Sequence, residues 1–279
     1  MADRENLHGD FKFYRYNPST AGNVVFVVLF AVPAAAHAYM LVKRRTWYFL
    51  PFLTGCLFEA IGYIGRVISA QESPDWTLSP YIMQTLLILL GPALYAASIY
   101  MVLGRLIRLL DAHHHSLIRT TWLTKVFVTG DILSFLTQSG GGGVLATAKT
   151  LEARDRGEKM VLGGLAIQVI FFGFFIITTI IFDIRIRKKP TTRAFSTVVP
   201  WRQLIMVLYA SSFFIMVRSI FRMIEYGMGN DSVLMRHEGY LFGFDGVLMF
   251  LVTVGFLWYH PGTILAGLRE CENERRCDT

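Results

Sequence analysis

Arginines and acids lie in runs of this sequence that are otherwise apolar enough to be buried. The stretch MVRSIFRMIEYG, residues 216–227, holds Arg218, Arg222 and Glu225. Arginines four residues apart share a helix face and repel each other, so their counter-ions must come largely from elsewhere. Glu225 is three residues from Arg222 and within reach of it. The spacing predicts ion pairs between helices.

The other acids that could pair with these arginines lie in two further segments. In EAIGYIGR, Glu59 and Arg66 flank Tyr63 and are two helical turns apart, too far to pair directly. HEGYLFGFDGVLM, residues 237–249, supplies Glu238 and Asp245. The three segments together hold three arginines and four acids, so one acid is in excess. These side chains are Arg66, Arg218, Arg222, Glu59, Glu225, Glu238 and Asp245.

The whole chain has the composition of a polytopic membrane protein. Of its 279 residues, 53% are hydrophobic and 17% are charged. A helix needs about 20 apolar residues to cross the hydrocarbon core, and barrel strands are shorter. The sequence therefore predicts an all-α fold, a seven-transmembrane-helix bundle in one domain over 22–260, with tails over 1–21 and 261–279. The predicted spans are 22–42, 47–69, 81–104, 124–146, 160–183, 202–224 and 239–259.

The distribution of basic residues predicts the orientation of these helices. Lysines and arginines are denser in the first, third and fifth connections and in the C-terminal tail than on the opposite side of the membrane. That side comprises the N-terminal tail, with Arg4, Lys12 and Arg15, and the second, fourth and sixth connections. The positive-inside rule places the denser set in the cytoplasm, so we expect the N-terminus outside and the C-terminus inside. A basic surface beside anionic lipid also explains the net charge of +7 without a nucleic-acid partner.

In this orientation most of the intramembrane polar groups fall in the outer half of the bundle. Gln84, Gln138 and Gln168 join the charged residues there, whereas Asp131 stands apart in the inner third of the fourth helix. Charged groups in a span face the bundle interior and usually pair or mark a pathway. Two interpretations remain open: a structural ion-pair network, or a wet cavity whose surplus acid meets a cationic head group.

Several smaller features bear on the chemistry of the chain. Gly91-Pro92 in the third helix, like Pro33 in the first, should bend the helix and expose backbone carbonyls. The glycines at 140–143 are either a hinge or a site of close helix packing. Cys271 is a candidate for palmitoylation and Asn230 for glycosylation.

At these same residues the sequence resembles the fungal RTA-like family, also called the lipid-translocating exporter family. The matching stretches are YNPSTAGNVVFVVLF, EAIGYIGR, QTLLILLGPALYAASIYMVLGR, GDILSFLTQSGGG, GGLAIQ, RSIFRMIEYGMG and HEGYLFGFDGVLM. They occur in the family's order across nearly the whole chain.

The resemblance implies a fungal membrane protein, mostly of the plasma membrane, linked to lipid export and drug resistance. The implied substrates are amphiphiles: a sphingoid long-chain base, a sterol-like molecule or a porphyrin. It also implies a set of ligand-binding or transport positions. These are Glu59, Tyr63, Arg66, Gln84, Asp131, Gln138, Gln168, Arg218, Arg222, Glu225, Glu238, Tyr240 and Asp245.

Three functions compete on these observations. A lipid translocase is the first; without a GxxxxGK[ST] loop it would not hydrolyse ATP by that route and needs no cofactor. A lipid sensor that binds without net transport is the second. A zinc-dependent intramembrane hydrolase is the third. His37 lies deep on the inner side of the first helix, His237 at the outer surface and His260 at the inner end of the seventh helix, so the three are not expected to converge on a metal. We therefore expect no metal site and no enzyme.

Overall fold

The computed structural model describes residues 18–72, 77–148, 150–196, 201–228 and 238–263. The tails beyond these ranges, with Arg4, Lys12, Arg15 and Cys271, lie outside the described residues, as do Asn230 and His237. Throughout the described ranges the chain is helical, with short turns and no strand.

Nine α-helices follow one another along the described chain. One continuous run, Glu238–Thr263, holds the last two of them with a π-helical segment, Phe242–Val247, between them. The helices are α1 Thr20–Arg44, α2 Leu50–Gln71, α3 Leu78–Leu109, α4 Thr120–Thr147, α5 Leu151–Lys188, α6 Thr192–Ser196, α7 Trp201–Gly227, α8 Glu238–Leu241 and α9 Leu248–Trp258.

Local signals in the sequence set the first helical hairpin. The Ser19 hydroxyl accepts a hydrogen bond from the Gly22 amide, 3.2 Å away, which caps the start of α1. Arg45 ends α1 in the left-handed conformation, with φ of 51°, and its N–H bonds back to the last turn. A short 3₁₀ turn, Trp47–Phe49, then leads into α2, where Pro51 occupies the first turn.

The long helices run alternately up and down. We call the bundle end that holds the start of α1 the Thr20 end, and the opposite one the Arg44 end. Glu238 bonds to Ser19 and Asn23 at the Thr20 end, and His37 bonds to Thr253 towards the Arg44 end, so the last helical run is parallel to α1.

Six helices of the described chain are long and apolar enough to cross a membrane, which confirms six of the predicted spans. The exception is α4, whose 28 residues are long enough but include many glycines, threonines and serines. The six are Thr20–Arg44, Trp47–Gln71, Ser79–Leu109, Glu152–Lys188, Trp201–Gly227 and Glu238–Thr263.

Glycines allow two antiparallel helix pairs to pack closely. On α2, a Cβ at Gly62 would lie 2.6 Å from the Ile88 side chain, and a Cβ at Gly55 would lie 2.9 Å from the Gly91 carbonyl oxygen on α3. On α4, a Cβ at Gly141 would lie 2.8 Å from the Gly157 carbonyl oxygen on α5. Small residues at such contacts let two backbones approach each other. For Gly141, close packing is therefore what the structure shows.

Two connections between the predicted spans are largely helical. The fifth predicted span begins at position 160, whereas α5 begins at Leu151. Its first turns carry ion pairs between residues four apart, Arg154 with Glu158 and Lys159 with Asp155, which stabilise an exposed helix. The basic segment 185–193 likewise continues α5 to Lys188.

Candidate functional site

Asp245 is the centre of a buried ion cluster. Its carboxylate accepts from two arginines of α7, Oδ1 from Arg218 Nε and Oδ2 from Arg222 Nη2. Asp245 lies in the π-helical segment Phe242–Val247, a wide turn of a kind that is frequent at functional sites. One carboxylate therefore neutralises most of the repulsion between two arginines one turn apart.

The second partner of Arg218 is a backbone carbonyl that Pro92 leaves free. In a regular helix the amide of residue 92 would donate to the carbonyl of Ile88, but proline has no N–H. Arg218 Nη2 donates to that Ile88 oxygen at 2.8 Å. This confirms the expectation that Gly91-Pro92 exposes a carbonyl to a neighbouring helix. Neither Pro92 nor Pro33 interrupts its helix.

Arg222 has a second acid on its own helix. Its Nη1 donates to Glu225 Oε2 at 3.0 Å, which confirms the pair predicted from their spacing. Glu225 is buried, so this pair lies inside the bundle. Arg222 thus shares its guanidinium between Glu225 and Asp245.

Arg66 and Glu238 form a second ion pair nearer the Thr20 end. Arg66 Nη2 lies 2.8 Å from Glu238 Oε1, and Arg66 Nε donates to Asn23 Oδ1 at 3.0 Å. The other Glu238 oxygen accepts from the Ser19 amide at 2.7 Å. This pair ties the starts of α1 and α8 to the end of α2. Asn23 is fully buried, and the sequence analysis did not identify it because a single amide in an apolar helix shows no partner by spacing.

Glu59 is the surplus acid. It is buried between α2 and α3, where a Cβ at Gly91 would lie 2.8 Å from Glu59 Oε1. That oxygen has no hydrogen-bonding partner in the described part of the chain, and none of the ion pairs found there includes Glu59. Asp245, Arg218 and Arg222 are near enough to act on Glu59 electrostatically. A lone carboxylate therefore lies beside a cluster that is already paired.

The cluster is closed in this structure. Glu59, Arg218 and Asp245 are each 1% exposed. An aromatic stack lies next to them, in which the Tyr63 ring centroid is 5.0 Å from that of Phe26 and 5.7 Å from that of Phe30. One interpretation of the sequence was a wet cavity open to the outer leaflet. In the structure these three side chains are instead buried away from solvent.

The three glutamines predicted in the outer half of the bundle form none of the hydrogen bonds of the ion cluster described above. Gln138 on α4 donates to Ser134 and, at 3.3 Å, to Gln168 Oε1 on α5. Ser134 in turn donates to the Gly164 carbonyl at 2.7 Å. Gln84 is buried where α3 meets Gly65 of α2. The Gln138 amide thus links α4 to α5, whereas Gln84 Oε1 has no hydrogen-bonding partner among the described residues.

Two further predicted residues lie outside the cluster. Asp131 is buried beside Tyr100 of α3, within the part of the bundle formed by α3, α4 and α5. Tyr240 is 40% exposed on α8. The structure therefore brings together Glu59, Tyr63, Arg218, Arg222, Glu225 and Asp245, and leaves the other predicted residues at neighbouring or remote positions.

Two of the candidate histidines, His37 and His260, come together in the structure. The rings of His37 and His260 lie 6.0 Å apart near the Arg44 end, packed among Phe49 and Phe52. Helix α1 and the end of the last helical run are adjacent there, which sequence spacing does not reveal. Within the described ranges, no group of three or more histidine, cysteine, aspartate or glutamate side chains is arranged to hold a metal ion.

Comparisons of the sequence with known proteins place this chain in a family that includes fungal membrane proteins. The family model for RTA1-like proteins matches residues 52–267. The chain is 36% identical to Protein RTA1 of Saccharomyces cerevisiae, over 90% of this chain and 85% of that protein. It is 33% identical to Protoporphyrin uptake protein 1 of the same yeast, over 94% and 96%. Its identity to the yeast Sphingoid long-chain base transporter RSB1 is 24%, over 90% and 73%. No solved structure matches the chain.

Proposed function

Because the chain belongs to the RTA1-like protein family, we propose that it moves amphiphilic lipids across a membrane, with sphingoid long-chain bases as the expected substrates. One relative is named as a transporter of such bases and another as a protein of protoporphyrin uptake. Both substrates are amphiphiles, but they differ in the charge of their polar groups.

The unpaired carboxylate of Glu59 is the observation that carries the proposal. Each of the other three acids from the predicted set has an arginine: Asp245 has two, and Glu225 and Glu238 have one each. A buried carboxylate without a partner is costly and marks a functional position in membrane proteins. The ammonium group of a long-chain base supplies the missing positive charge. Glu59 is therefore the proposed contact for the head group.

The surrounding side chains suit the rest of such a molecule. Tyr63, Phe26 and Phe242 stack on one another next to the ion cluster, and the Tyr63 hydroxyl has no hydrogen-bonding partner among the described side chains. The hydroxyl groups of a sphingoid base could pair with Tyr63 while its alkyl chain lies along the aromatic rings. Since the cluster is closed, entry requires helices to separate by a rocking movement of the kind seen in transporters.

We also propose that α4 crosses the membrane, which gives the protein seven transmembrane helices. Helix α4 is antiparallel to α5 from Phe127, which packs on Phe175, to Leu145, which packs on Gly157. Its outward face is apolar, with Ile132, Leu133 and Leu136 all exposed. A helix that lies between two spanning neighbours and presents such a face to lipid is expected to cross the membrane too. The positive-inside rule then predicts that the Thr20 end lies on the outer side of the plasma membrane. The ion cluster with Glu59 lies nearer to this end.

Transbilayer movement of a labelled sphingoid base tests the proposal. The full chain is reconstituted in liposomes, and wild type is compared with Glu59→Gln and with Glu152→Gln, a matched control whose side chain is 76% exposed. We expect wild type and Glu152→Gln to accelerate the movement and Glu59→Gln to lose at least about tenfold in rate, since a lost charged contact costs roughly 1.5–3 kcal/mol.

The alternative functions predict different outcomes of the same experiment. Tight binding of the base without movement would support the lipid sensor. Protoporphyrin carries carboxylates, so a protein built for it would use the arginines, and Glu59→Gln would leave its movement unchanged or faster. Equal rates in empty liposomes and liposomes with wild-type protein, without binding, would rule out both the translocase and the sensor.

A further inference from the structure

A second unpaired acid lies in the other half of the bundle. Asp131 of α4 is 6% exposed, and its Oδ2 atom has no hydrogen-bonding partner in the described residues. The Tyr100 hydroxyl of α3 is also buried and is close enough to act on the Asp131 carboxyl. None of the ion pairs found in the described ranges includes Asp131. Two polar groups therefore share a dry site that supplies no positive charge.

The groups that face this site from the packed helices are mostly aromatic. The Tyr100 ring contacts Phe127 of α4 and Phe172 and Phe175 of α5, with ring centroids 5.3, 6.1 and 4.5 Å away. Phe171 of α5 packs on Gly130, the residue before Asp131. Tyr100 is the titratable side chain that acts on Asp131. Among the residues that the structure describes, no arginine or lysine pairs with Asp131 as Arg218 pairs with Asp245.

Burial without a cation has a physical consequence for Asp131. An ionised carboxylate in an apolar interior costs several kcal/mol or more, and such a group takes up a proton instead. The site differs from that of Glu59, which two arginines and Asp245 influence. Along α3 the two sites are nine residues apart, at Gly91 and Tyr100, or about 14 Å at the rise of a helix.

We propose that Asp131 is a proton-binding site, occupied by a proton while α3, α4 and α5 are packed together and emptied when water reaches the carboxylate. On emptying, the O–H bond breaks, the proton passes to water and the carboxylate keeps the electron pair. A conformation that hydrates Asp131 thus binds one proton fewer than the closed one. Linkage then requires a pH difference across the membrane to bias the equilibrium between the two conformations.

A proton gradient acting through this site would supply the driving force that the proposed function lacks. The coupling to lipid movement rests on that proposed function, whereas the proton site itself does not. A proton gradient across the membrane would favour opening on the alkaline side, where Asp131 releases its proton. A cationic base bound at Glu59 would then cross in exchange for, or together with, that proton.

Infrared spectroscopy of the purified full chain in lipid tests the proton site directly. The difference spectrum between wild type and Asp131→Asn at neutral pH should show the loss of a protonated-carboxyl stretching band, and Glu59→Gln should retain that band. Loss of ionised-carboxylate bands instead would overturn the proposal. Removal of the wild-type band by sodium chloride would also overturn it, since the site would then bind a metal cation.

Asn is neutral and has the shape of the protonated acid, so Asp131→Asn is expected to fold. Should it not, Tyr100→Phe gives the same decision: the band should shift in frequency because the adjacent hydroxyl is gone, and an unchanged spectrum would overturn the proposal.

Movement of the labelled base under an imposed pH gradient tests the coupling. We expect the gradient to change the wild-type rate severalfold and to leave the Asp131→Asn rate unaltered. An identical gradient response in the two proteins would rule out coupling through Asp131. If wild type moves no base at all, the transport proposal fails while the infrared band still decides the proton site.

Discussion

Asp245 and Asp131 are both buried inside membrane helices, yet their surroundings differ completely. Asp245 receives two arginines, and one of these is further bound to the freed Ile88 carbonyl. Asp131 has a tyrosine beside it and phenylalanines around it. The first arrangement fixes helices α3, α7 and the π-helical segment to one another. The second leaves a group whose charge can change, so the comparison separates acids that hold the bundle from acids available for function.

Arg218→Ala should have the largest effect on stability. It leaves the Asp245 charge buried with half its partners and the Ile88 carbonyl with none, and removing one side of a buried pair costs about 3–5 kcal/mol. Denaturant unfolding in detergent micelles measures this loss. Arg156→Ala is the control, because its pair with Glu152 is 72% and 76% exposed and should contribute less than about 1 kcal/mol. Equal stability of the two variants would mean that the ion cluster does not hold the bundle.

Asp245→Asn should be the next most harmful. Asp245 was among the candidate ligand-binding positions, but the structure shows that it neutralises two arginines. Asn keeps the size and some hydrogen bonds and Arg222 keeps Glu225, so we expect a loss of about 3 kcal/mol in the same unfolding measurement. A variant as stable as wild type would place Asp245 with the acids available for function.

Glu238→Gln should cost less. The amide keeps the shape of Glu238 and part of its bonding to Asn23 and the Ser19 amide, while the ion pair with Arg66 is lost. The pair lies at the Thr20 end and the Glu238 side chain is 11% exposed, so water can take over part of the interaction. A decrease of about 1–2 kcal/mol is expected. A loss as large as that of Arg218→Ala would show that the two ion clusters form one cooperative unit.

Glu59→Gln should change stability least of the cluster variants. It breaks no ion pair among the described residues and keeps the size and shape of the side chain, so the free energy of unfolding should stay within about 1 kcal/mol of wild type. Combined with the expected loss of lipid movement, this would assign Glu59 to function. A large destabilisation would instead make Glu59 part of the structural network.

Much of this arrangement was predictable from the sequence. The spans follow from length and apolarity, the surplus acid from a count of charges, and the contact at Ile88 from the missing N–H of Pro92. None of these depends on how the helices are rotated or packed against one another. The i,i+4 charge pairs at 152–159 were also readable and could have predicted the early start of α5.

The identity of each ion pair was not predictable. Glu59, Glu238 and Asp245 were equal candidates for the arginines, because the pairing depends on how each helix is rotated about its axis and on its depth. Those two quantities are set by packing between helices, such as the contact of Gly62 with Ile88. The meeting of His37 with His260 has the same origin.

The π-helical segment Phe242–Val247 also makes the length of the last helical run part of the site. An α-helix turns by about 100° per residue, so deleting one residue there would convert the wide turn to a regular one and rotate α8 against α9 by roughly that angle. Glu238 could then not face Arg66 while Asp245 faces Arg218. We therefore expect this segment to accept changes of side chain more readily than insertion or deletion of a single residue.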